Sequence, residues 1–209
     1  STVYSDAYLV KTDGLGVMQW SKTFGGVKND VVHSVQQTTD SGYIMCGATS
    51  SFGNGLDDVY LIKTDVNGIE QWSQTFGGSN YDQGWSVQQT TDGGYIICGQ
   101  TNSYGPGGDN IYLIKTDGAG VASWSKTFGG NSRDVSHAVQ ETTDGGYIIC
   151  GRTKSFGNGE SDLYLIKTDA TGYVTSTNAI PLNTDKGELQ KITNYLGQET
   201  KPVKNIPLL

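Results

Sequence analysis

The chain has 209 residues, a net charge of −7, and 30 glycines against 4 prolines. The acidic balance argues against nucleic acid and against adsorption to an anionic membrane, since both reward a basic face. Abundant glycine with scarce proline suits short strands joined by tight turns, and no apolar run is long enough to cross a bilayer as a helix.

The chain opens at Ser1-Thr2-Val3 directly into repeat material, with no initiating Met and no leader. It is therefore read as a processed form or a fragment. Residues 6–25 hold Tyr-Leu-Val-Lys-Thr-Asp at Tyr8–Asp13 and Thr-Phe-Gly-Gly at Thr23–Gly26. The first motif returns at Tyr60–Asp65, Tyr112–Asp117 and Tyr164–Asp169, and the second at Thr75–Gly78 and Thr127–Gly130, always 52 residues apart. A period this long signals an array of supersecondary units that bury their faces on one another.

The middle copy predicts four strands. Ser86–Thr91 is the first, and Asp92-Gly93-Gly94 is a tight hairpin signal because glycine accepts positive φ. Tyr95–Gly99 is the second, followed by a glycine-rich loop from Thr101 to Asp109. Ile111–Thr116 and Val121–Phe128 are the third and fourth, joined by Asp117-Gly118-Ala119-Gly120. Strands two and three are apolar at consecutive positions, the mark of a strand covered on both faces. The predicted fold is therefore an all-β propeller of four-stranded antiparallel blades.

Residues 6–25 supply half a blade, and blades follow near 31–78, 83–130 and 135–178. That makes about three and a half blades, short of the ~4 needed for ring closure, so the propeller is read as partial or open. Ser176 takes the place held by Trp20, Trp72 and Trp124, which are read as packing between blades. Residues 176–187 read as a linker. Cys46, Cys98 and Cys150 recur at the same period and read as small buried apolar groups, because equivalent positions in successive units do not approach within disulfide range.

The pattern Trp-Ser-Lys-Thr-Phe-Gly-Gly, Asp, Ser-Val-Gln-Gln-Thr-Thr-Asp-Gly-Gly-Tyr-Ile-Ile-Cys-Gly, then Tyr-Leu-Ile-Lys-Thr-Asp resembles a family of secreted bacterial β-propeller repeats, over about residues 6–175. Residues 188–209, with Leu196-Gly197-Gln198-Glu199 and Lys204-Asn205-Ile206-Pro207-Leu208, are similar to the start of the C-terminal sorting domain of type IX secretion substrates. The closing hairpin of that family is absent. These resemblances imply a secreted or cell-surface protein, handled by the type IX machinery where the tail acts as a signal.

Strand alternation places the longer loops at one end of the blades: Ser51–Asp58, Tyr104–Asn110, Phe156–Asp162, and the loops before Asp30, Asp82 and Asp134. Binding groups concentrate on such loops. Asp30, Asp82 and Asp134 are candidate ligand groups; the plainer reading is a carboxylate accepting backbone N–H bonds in its turn. His33, Trp85 and His137 occupy one register position in three blades and break the repeat. Tyr81 with Arg133, and Arg152 with Lys154, are further breaks. An exposed Trp85 is a platform for sugar or peptide, and a buried one is core. The two histidines share no metal-ligand spacing and could meet only near an axis. No metal or cofactor is assigned, although the loop composition is compatible with Ca²⁺.

No nucleophile elbow, zinc-protease motif or phosphate loop occurs, so no catalytic residue is assigned and the chain is read as a non-enzyme. The expected function is an interaction module for carbohydrate or protein on the long-loop face. The alternatives are a structural spacer in a larger surface protein, and the propeller part of a secreted hydrolase with its catalytic residues upstream.

Overall fold

A computed structural model describes residues 4–158 and 160–180. The sorting-like segment at 188–209 and most of the expected linker lie outside the described residues. Within them the chain is all-β, with no helix.

The first sheet pairs β1 (Ala7–Thr12) with β2 (Met18–Phe24). The second is β3 (Asp30–Gln37), β4 (Tyr43–Thr49), β5 (Asp58–Thr64) and β6 (Glu70–Phe76). The third is β7 (Asp82–Gln89), β8 (Tyr95–Thr101), β9 (Asn110–Thr116) and β10 (Ala122–Phe128). The fourth is β11 (Asp134–Glu141), β12 (Tyr147–Thr153), β13 (Asp162–Thr168) and β14 (Val174–Ile180). Every sheet is antiparallel with strands in sequence order. Strand β14 runs across the expected start of the linker at 176. Ser176 pairs with Lys167, so the fourth strand forms without its tryptophan and continues to Ile180.

Local chemistry explains the turns. Asp65 Oδ1 accepts from the N–H groups of Asn67 and Ile69, and Gly68 supplies the positive φ of 72° that closes the turn. The hairpin between first and second strands is clamped from a neighbouring strand. Lys115 Nζ lies 2.8 Å from Asp92 Oδ2 and donates to the Thr116 carbonyl, although its side chain is buried. Burial alone would raise the Asp92 pKa; the hydrogen bonds from Lys115, Thr90 and Gly94 outweigh it and hold the group at about 2. Lys63–Asp40 and Lys167–Asp144 repeat the clamp.

Successive sheets pack face to face. Tyr60, Ile62 and Met45 meet Ala7, Leu9 and Phe24 of the first sheet. The opposite face of the same sheet, with Ile44, Cys46, Val59 and Leu61, meets Val87, Tyr95, Ile97, Tyr112 and Ile114 of the third. The next junction repeats these contacts. Each fully buried aliphatic side chain contributes roughly 1.5–3 kcal/mol, which makes these junctions the core. Trp20, Trp72 and Trp124 reach across to Tyr43, Tyr95 and Tyr147 at centroid distances of 5.7, 5.8 and 5.8 Å. The stack is open at its first face: Tyr8 is 58% exposed, whereas its equivalent Tyr60 is 3% exposed. The first strands β3, β7 and β11 adjoin one another along one edge of the stack.

Candidate functional site

Each first strand carries a β-bulge at the same point. In β3 the ladder pairs Val32 with Gly47 and Ser34 with Cys46, leaving His33 as the extra residue. In β7, Gly84 pairs with Gly99 and Ser86 with Cys98, which leaves Trp85. In β11, Ser136 pairs with Gly151 and Ala138 with Cys150, which leaves His137. A bulge re-aims the side chain it carries. It also requires glycine opposite: a methyl group on Gly47, Gly99 or Gly151 would be driven into the carbonyl oxygen of Val31, Gln83 or Val135.

The three bulged side chains meet. His33 stacks on Trp85 with centroids 4.1 Å apart and planes inclined by 19°. His137 approaches the same indole edge-on at 6.2 Å and 66°. Both imidazoles are exposed, and the tryptophan between them is half-buried. His33 Nδ1 lies 3.1 Å from the Gly84 carbonyl oxygen. That acceptor selects the tautomer protonated at Nδ1 and leaves Nε2 as an acceptor. The Trp85 indole N–H is buried and has no hydrogen-bond partner. A buried donor left unsatisfied costs about 1–3 kcal/mol, which the stacking of the ring on His33 offsets.

Burial lowers the His33 pKa. Burial also lowers that of His137, and the charges of Arg152 and Arg133 lower it further. Both rings are therefore neutral near pH 7. Among the described residues no carboxylate or nucleophile is hydrogen-bonded to either ring. No group of three or more His, Cys, Asp or Glu among the described residues is placed to hold a metal ion.

A cleft opens beside the row at the long-loop end. It is lined by Asn29, Ser50, Asp57, Tyr81 and Gln83, with Ser5, Val31, Ala48 and Leu56. Tyr81 is 51% exposed. Ser50 Oγ donates to Asp57 Oδ1 at 2.5 Å and Gln83 Nε2 to Asp57 Oδ2 at 3.3 Å. The backbone beneath is fixed by the N–H of Asp82 donating to the Asp57 carbonyl at 2.8 Å. Val31 and Gln83 of the cleft lie two residues before His33 and Trp85 in β3 and β7, so the same strands carry both features.

The structure brings His33, Trp85 and His137 together and sets Tyr81 in the adjoining cleft. It keeps Asp30, Asp82 and Asp134 out of both. These carboxylates are fully buried. Asp30 Oδ2 accepts from Gly26 N–H and Ser51 Oγ, while Thr49 Oγ1 donates to Oδ1. Asp134 repeats all three bonds, and Asp82 accepts from Gly78 N–H and Ser103 Oγ. Asp30 and Asp82 thereby anchor the loops that carry Asn29 and Tyr81 of the cleft, and Asp134 does the same for the equivalent loop of the fourth sheet. Asn29, Ser50 and Gln83 were not singled out in the sequence. They are ordinary polar residues at strand ends, and only the packing of one sheet on the next gathers them.

No family model matches the chain, and no curated protein matches it. Among solved structures, the chain is similar to a protein of unknown function from Bacteroides caccae, at 10% identity and a TM-score of 0.34, over 82% of this chain and 74% of that one.

Proposed function

We propose that the protein is a non-catalytic carbohydrate-binding module of β-propeller type, acting outside the cell. The observation that carries the reading is the convergence of three residues that break the repeat. Both histidines of the chain and its one non-repeating tryptophan sit on equivalent bulges and form a single row. The propeller reading is supported by sheets of one topology packed face to face with their first strands adjoining. Secretion, with residues 188–209 as a signal for the type IX machinery, rests on the sequence resemblance alone.

Carbohydrate is favoured over protein by the chemistry of the surface. A sugar presents patches of C–H beside hydroxyl groups. Exposed aromatic rings serve the former, and planar side chains such as Asn29, Gln83 and Asp57 serve the latter. Isothermal titration against a panel of oligosaccharides tests this. At least one sugar should bind the native protein, and the His33→Ala/His137→Ala double variant should bind it roughly tenfold more weakly, a loss of ~1.4 kcal/mol. Silence across the panel, or unchanged affinity in the variant, would overturn the assignment.

A further inference from the structure

We infer that the row selects a carboxylate-bearing oligosaccharide, whose acid group is taken by Arg152 and Arg133 beside His137. This rests on the carbohydrate reading above and narrows it. The chain contains only two arginines; Arg152 lies in β12 and Arg133 immediately precedes β11, and the charges of both act on His137. Neither belongs to the repeat. Arg152 stands where the other copies have Ala48 and Gln100, and Arg133 where they have Asn29 and Tyr81. The register places Arg152 directly opposite Val135, two residues before the bulge at His137. Arg133 anchors the same corner through its carbonyl, which accepts the Lys154 N–H at 2.9 Å.

The two guanidinium groups differ in what they already hold. Arg133 is 2.9 Å from Asp109 Oδ2, with its side chain 48% exposed. Arg152 is exposed and makes no ion pair or side-chain hydrogen bond among the described residues. On a chain of net charge −7, a free guanidinium beside neutral imidazoles is a local exception to the acidic surface. A guanidinium presents a planar fork of donors that matches a carboxylate in two parallel hydrogen bonds. The His33–Trp85 stack and the cleft at Tyr81 would then hold the rest of the chain of sugars, with the acid group at the His137 end.

The test compares an oligogalacturonate with a neutral galacto-oligosaccharide of equal length, titrated into the native protein and into Arg152→Gln. The arginine is exposed, so the variant should fold, and its melting curve confirms this independently. The expected result is affinity for the uronate at least roughly tenfold above that for the neutral sugar, with the preference lost in Arg152→Gln and neutral binding kept. Equal affinities, or a preference that survives the substitution, would overturn the inference and leave the carbohydrate reading intact. Binding of neither sugar would overturn the inference, and silence across the wider panel would remove the carbohydrate reading as well.

Discussion

Asn110 stands where the neighbouring sheets carry Asp58 and Asp162, and the loop before it explains the exchange. Asp58 Oδ2 accepts from the N–H groups of Asn54 and Gly55 at 2.7 and 3.1 Å. In the next copy Pro106 replaces Asn54 and has no N–H to give. The side chain at 110 must donate instead, and Asn110 Nδ2 donates to the carbonyl of Gly107 at 3.0 Å, with the carbonyls of Tyr104 and Gly108 at 3.4 Å. A carboxylate at 110 would face those oxygens and Asp134 with no donor. Burial already raises the pKa of Asp58, even with its two N–H partners opposing the shift. Asn110→Asp should therefore destabilise by about 3 kcal/mol, which lowers Tm by roughly 6–12 °C in a protein of this size. Adding Pro106→Asn should recover much of the loss by restoring a donor. Calorimetry of the single and double variants checks it, and an equal loss in both would refute the pairing. The 52-residue alignment displays this covariation openly, yet its meaning needs the fold, because the loop must turn inward before its carbonyls can meet position 110.

At the scale of the strand, the bulge is the feature that turns a repeat into a site. It cannot be read from the apolar pattern of β3, β7 or β11, because an extra residue shifts the alternation by one and leaves composition unchanged. The glycine opposite is the available signal: Gly47, Gly99 and Gly151 recur at the period, in the middle of strands that are otherwise β-branched or aromatic. Gly99→Ala would push a methyl group into the Gln83 carbonyl oxygen. The expected cost is about 2–3 kcal/mol from forced backbone movement, or roughly 4–12 °C in Tm. The fluorescence of Trp85 should change with it, since the displaced bulge carries that indole. A variant with native Tm and native emission would contradict the role given to the bulge. The hairpins and the four-strand order were legible because Asp-Gly-Gly turns and apolar runs are local. The stacking direction that lines up three first strands was not, because it depends on which face of each sheet meets the next.

At the scale of the whole molecule, the repeat and its breaks divide the work. The repeated residues build the frame: Trp72 on Tyr95, Lys115 on Asp92, and Asp134 holding its loop through Gly130 and Ser155. Five of the residues that depart from the repeat lie close together, with His33, Trp85 and His137 in a row and the charges of Arg133 and Arg152 acting on His137. A ladder of like units provides a rigid surface, and substitution at one register position decorates that surface without disturbing the units. The most direct test follows the four indole N–H resonances of the native protein by heteronuclear NMR during titration with an oligogalacturonate. The account predicts that the Trp85 signal shifts progressively to saturation while those of Trp20, Trp72 and Trp124, packed between sheets, stay in place. No movement at Trp85, or movement confined to the other three, would contradict it.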